Sequence, residues 1–188
     1  MAGLRSAITL AVVAGLLAFG EVAHAELRIT DLDVFLNDHE LTVHVVVLGA
    51  IPAALYEPLE SGLPAHVKFT VELWQYNRMW RDRLLMTKVV ERQVTYNVVT
   101  QEYRIAFLKG ETRPVYSTRE LRDAQRVVSE LHALKLTPAA TLDPTGVIYV
   151  RVRAEVALNG ENTFLARMAG TAEQTMRQSD YRTISRVQ

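Results

Sequence analysis

The chain has 188 residues, 49% hydrophobic and 22% charged, the proportions of one globular domain with a short extension. Lysine plus arginine equals aspartate plus glutamate, 21 of each, so there is no excess positive charge to displace counterions from nucleic acid or to hold an anionic lipid surface. Cysteine is absent, which excludes disulfides, thiolate catalysis, zinc–cysteine sites and a lipidated N-terminal cysteine.

The chain opens with "MAGLRSAITLAVVAGLLAFGEVAHA": one positive charge at Arg5, an apolar run from Ala7 to Phe19, then small residues at Ala23 and Ala25. This is the three-part pattern of a secretory signal peptide over residues 1–25, cleaved after Ala25. The run is shorter than the ~20 apolar residues a comfortable bilayer span needs, so an uncleaved anchor is the minor alternative. Export without cysteine points to the periplasm of a bacterial envelope, with residues 26–188 forming a single β-rich domain.

"LRITDLDVFL" (27–36) and "LTVHVVVLGA" (41–50) read as a hairpin about the turn-forming "NDHE". The second strand carries Leu41, Val43, Val45 and Val47 on one face, with Val46 and Leu48 on the other, and is expected in a central place covered on both sides. Three prolines mark 51–64 as a loop, with a helical turn near Ala54–Glu57. "LPAHVKFTVELWQYN" is a long strand with Val67, Phe69, Val71 and Leu73 inward and Trp74 and Tyr76 on the opposite face. A polar connection at 77–83 leads to another long strand, with Leu84, Met86, Val90, Val94, Tyr96 and Val98 in one register.

In "VTYNVVTQEYRIAF" (94–107) the apolar register changes from even to odd numbers, and one strand cannot change faces without an extra residue or a turn. Residues 99–102 are therefore a bulge or the corner between two strands. A single amphipathic helix is expected at about 117–135, opened by a Ser117–Glu120 capping box and carrying Leu121, Ala124, Val128 and Leu131 at helical spacing against a sheet. "VIYVRVRAEVAL" (147–158) alternates cleanly, with Tyr149, Arg151, Arg153 and Glu155 outward. One more strand is expected at Phe164–Ala169, and the polar segment 170–188 ends with an edge strand near Tyr181–Val187. Together these elements give a mainly β, antiparallel, sandwich-like fold with one helix on a sheet.

No hydrolase, phosphate-loop, metalloprotease or dinucleotide signature is present, so neither an enzyme nor a cofactor is expected. His39, His44, His66 and His132 are scattered, whereas zinc needs three or four convergent ligands, so no metal site is expected. Asp31 and Asp33 share a strand face about 7 Å apart, a spacing open to carboxylate hydrolase chemistry but also to a solvated or charge-protected edge. "WQYNRMW" offers Trp74, Tyr76, Arg78 and Trp80, the aromatic and arginine composition of a protein-binding hot spot. A carbohydrate-stacking platform has similar composition, and packing of Trp74 beneath the helix is the structural alternative.

"SGLPAHVKFTVELWQYNRMWRD", then "VTYNVVTQEYRI", then a Ser/Thr-x-x-Glu-Leu helix start and "LDPTGVIYVRVRAEV" follow one another in an order that resembles the uncharacterised exported bacterial family catalogued as domain of unknown function 4390. The resemblance covers most of residues 26–188, and the closing "TMRQSDYRTI" fits it only loosely. It implies an envelope location and a β-rich domain, with no catalytic residues to carry over. The expectation is a non-catalytic protein-binding or assembly factor of the envelope, with a cell-wall carbohydrate module and a hydrolase as alternatives.

Overall fold

The computed structural model describes residues 26–36, 39–159 and 172–183. The expected leader (1–25) and the expected strand at 164–169 lie outside the described residues.

β1 (Arg28–Leu36) and β2 (Glu40–Leu48) form the expected antiparallel hairpin, with Val34 opposite Val43 and Leu36 opposite Leu41. β2 is the middle strand of a three-stranded sheet ordered β1-β2-β7, where β7 is Glu130–Pro138. Leu41, Val43, Val45 and Val47 are buried, while Thr42, His44 and Val46 are half-buried and Leu48 is exposed. The strand is central, yet covered on one side only, because the outer face of this small sheet meets solvent. A 3-10 turn (Ala53–Leu55) and α1 (Tyr56–Glu60) fill the proline-rich connection and bury Leu55 and Leu59.

The larger sheet has β3 (Ala65–Gln75) between β4 (Arg83–Asn97) and β8 (Val147–Leu158). β5 (Glu102–Lys109) and β6 (Tyr116–Thr118) extend it beyond β4; β9 (Ala172–Gln178) and β10 (Arg182–Thr183) pair with β8 on the other side. Period-two alternation does the sorting: Ala65, Val67, Phe69, Val71 and Leu73 of β3 are fully buried, and Val150, Val152, Ala154 and Val156 of β8 join them. Each such valine, leucine or phenylalanine side chain contributes ~1.5–3 kcal/mol on leaving water. The small sheet packs over this face, and the edges are tied by Glu173, which accepts from the Leu27 amide at 3.0 Å, and by Arg177, which donates to the Ile29 and Thr30 carbonyls. The polar segment after 170 thus supplies β9, a full edge strand beside β8.

The parity change in 94–107 is a hairpin. Val94 faces Ile105 and Tyr96 faces Tyr103 across β4 and β5, and the turn at 98–101 closes with Gln101 at φ +54°.

The helix is shorter than expected. α2 spans Leu121–Ser129; residues 116–118 are β6, and Glu130 begins β7. The capping box does not form: Ser117 is paired with Arg104 in the sheet, and Glu120 itself occupies the N-cap. The reason for the lost second half is a bulge. Leu131 and Leu134 face Val45 and Val43, so three residues of β7 span two of β2, with Ala133 at φ +47° taking up the excess. A bulged strand can therefore show the three-residue apolar spacing of a helix, and the free edge of β2 selects the strand.

Candidate functional site

β3 and β4 are joined by residues 76–82, which form an exposed tip at the end of the hairpin. Asp82 organises it. Its Oδ1 accepts from the Asn77 amide at 3.0 Å, and its Oδ2 accepts from the Tyr149 hydroxyl at 2.9 Å. Asn77 in turn accepts from the Met79 amide at 3.0 Å, a side-chain-closed turn of the kind asparagine favours. The backbone just before the tip is held by the Tyr76 amide, which donates to the Val147 carbonyl at 2.8 Å.

Beneath the tip lies an aromatic cluster drawn from three elements. Trp74 and Tyr149 are register partners on β3 and β8, and their rings are parallel at 6.3 Å between centroids. Tyr181 meets Tyr149 edge-on at 5.3 Å and Tyr76 at 5.1 Å. The Arg151 guanidinium lies 5.0 Å from the Trp74 ring centre, and Trp74 Nε1 donates to Glu72 at 2.9 Å. Tyr149 is buried although its neighbours in the outward stripe, Arg151 and Arg153, are half-buried. That burial, followed by the hydrogen bond and negative charge of Asp82, pushes the Tyr149 hydroxyl up to about 12.

The four residues expected to bind a partner thus divide. Trp74 belongs to the supporting cluster; its ring is taken up by Tyr149 and Arg151. It is not beneath the helix, because α2 lies against β2, β4, β5 and β6. Tyr76 is partly exposed at the cluster's margin. Arg78 and Trp80 stand with Met79 and Arg81 at the exposed end of the tip. Met79 and Trp80 are 87% and 81% exposed, far more than large apolar side chains usually are.

The structure also adds residues that the sequence did not single out. Met79 stands beside Trp80 at the tip, and Asp82, Tyr149 and Tyr181 brace it from below. The one available signal was the identical outward parity of Trp74 and Tyr149 on two long strands, which means little until β3 and β8 are known to pair. Asp31 and Asp33 are exposed on β1, an edge strand, opposite Val46 and His44. Of the scattered histidines, His44 and His132 meet across β2 and β7, and His66 contacts Glu91 and Gln93. Among the described residues no group of three or more histidine or acidic side chains stands ready to hold a metal, and no helix is long and apolar enough to cross a membrane.

The profile of a family described as Domain of unknown function (DUF4390) matches residues 24–173. Neither the curated proteins nor the solved structures gave a match.

Proposed function

We propose that this chain, which belongs to the domain-of-unknown-function family DUF4390, is a non-catalytic binding protein of the bacterial envelope that engages a protein partner through the 76–82 tip. The observation that carries this reading is the pairing of an exposed apolar knob, Met79–Trp80, with a base that fixes it through Asp82, Tyr149 and Asn77. Leaving two large apolar side chains in water while bracing the backbone beneath them lowers the ordering cost that association must meet. Arg78, Arg81 and Arg83 flank the knob, so the fitting partner is a protein surface with an apolar cleft rimmed by acidic groups. Export to the periplasm, and with it the cleaved leader, rests on the N-terminal sequence pattern. The absence of catalytic signatures from the sequence supports a non-enzymatic role.

The test is photocrosslinking in cells with a probe at Trp80 and a control probe at Val99. Val99 is equally exposed and apolar, at the opposite end of β4, roughly 50 Å away along the strand. A discrete protein adduct at position 80 and none at 99 is expected. No adduct at 80, equal adducts at both positions, or lipid adducts alone would overturn the reading.

A further inference from the structure

The geometry points to a second site, on the outer face of the small sheet: a surface site for a divalent transition metal, copper or zinc, ligated by Nδ1 of His44 and Nδ1 of His132. The two nitrogens are 3.2 Å apart, although 88 positions separate the residues in the chain. β2 presents His44 outward, and the bulge at Ala133 turns His132 onto the same face beside it.

Two distances describe how the rings meet. A head-on Nδ1–H···Nδ1 bond of this length would hold the ring centres about 5.5 Å apart. Two imidazoles ligating one ion at ~2.0–2.1 Å, with an angle near ~100° at the ion, would show nitrogens ~3.2 Å apart and ring centres about 5 Å apart. The ring centres are 4.7 Å apart with the planes inclined by 39°, so the rings are canted about the short nitrogen–nitrogen contact, nearer the shared-ion arrangement than the head-on one.

A carboxylate stands behind the far nitrogen of one ring. His132 Nε2 lies 2.7 Å from Glu130 Oε2, and donation of Nε2–H to that carboxylate leaves Nδ1 of the neutral ring as the lone-pair nitrogen. A carboxylate behind the far nitrogen of a histidine ligand is the arrangement that orients metal-bound imidazoles and raises their basicity. Glu130 is itself anchored, because its carbonyl accepts from the buried guanidinium of Arg92 at 2.9 Å. Asp33, the direct cross-strand partner of His44 on β1, adds negative charge to the same face. With two protein nitrogens, water or a side chain of another molecule completes the coordination. Imidazole donors select copper, nickel and zinc over magnesium or calcium, and the affinity order favours copper among them.

The experiment is Cu²⁺ titration of the purified full chain, its affinity tag removed, followed by calorimetry and electron paramagnetic resonance. One equivalent of Cu²⁺ bound with a two-nitrogen spectrum is expected. His44→Ala or His132→Ala should weaken binding by more than about tenfold, and Glu130→Gln by about tenfold, with Mg²⁺ unable to compete. His66→Ala serves as the control and should leave binding unchanged. Circular dichroism checks that each variant is folded, which is expected because both rings lie on the outer face. No stoichiometric Cu²⁺ binding by the wild type, or binding unaltered in the His44→Ala/His132→Ala double variant, would overturn the assignment.

Discussion

Arg92 and Glu111 form a two-pronged ion pair at the heart of the protein, with Nε–Oε2 at 2.7 Å and Nη2–Oε1 at 2.8 Å. The remaining terminal nitrogen, Nη1, donates to the Val127 and Glu130 carbonyls at 2.6 and 2.9 Å, where α2 gives way to β7. The rings of Phe69 and Phe107 lie within 6 Å of the guanidinium carbon. A fully buried charge survives here because every side of it is met by an acceptor or an aromatic ring. It ties together β4, the loop after β5 and the helix-to-strand junction.

Removing that charge should be costly. Arg92→Ala leaves two carbonyls unpaired and the Glu111 carboxylate with only Arg113, at 3.8 Å, and is expected to destabilise by about 3 kcal/mol. Arg92→Lys should also be strongly destabilising, by about 2–3 kcal/mol, because one ammonium cannot reproduce the planar fork. Urea unfolding measures both, and a loss below about 1 kcal/mol for Arg92→Ala would refute the structural role.

Gly110, just before Glu111, has φ +81°, and a Cβ there would stand 2.4 Å from the Val89 carbonyl oxygen. Both the left-handed backbone and the backbone contact oppose any side chain. Gly110→Ala should lower stability by at least about 2 kcal/mol and displace Glu111 from Arg92. Gly62, also at positive φ but with open space about it, is the comparison, and Gly62→Ala should cost less.

The Tyr149 hydroxyl, pushed up to about 12, makes a prediction at high pH. The unfolded side chain titrates near ~10, so between about pH 10 and 12 the native state keeps a proton that the unfolded state has released. This contribution to stability is complete below pH ~10 and is lost as pH rises towards about 12. Spectrophotometric titration should find one tyrosine ionising later than the others. Tyr149→Phe should remove that late step, and Asp82→Asn should bring it to lower pH.

Support and contact should separate by mutation at the tip. Trp80→Ala is expected to change stability by no more than about 0.5 kcal/mol, since the ring is exposed, while losing capture, in a pull-down, of the protein that the position-80 probe crosslinks. Trp74→Ala removes the ring stacked on Tyr149 and covered by Arg151, and should cost about 2 kcal/mol. Chemical denaturation and pull-down on the same two variants provide the check; a destabilised Trp80→Ala protein would contradict the division.

By itself the sequence determined the strands β1 to β5 and β8. The alternation in 65–73 and 148–156 names the buried residues of β3 and β8 directly, because a strand's side chains point alternately and only one face can be dry. The parity change likewise marked 99–102 as a bulge or a corner, which the structure resolves as the β4–β5 turn, and the order of motifs marked the family. What lay between residues 117 and 138 was decided by tertiary structure, because Leu131 and Leu134 satisfy a helix or a bulged strand equally well until β2 offers its edge. Arg92 interrupts an apolar register and reads as a fault in the strand until Glu111, 19 residues on, is folded against it. The same holds for Tyr149 above Asp82 and for His44 beside His132. Local chain physics fixes which way each side chain points; which partner it meets depends on strand pairing across the whole domain, and only the packed sheets supply that.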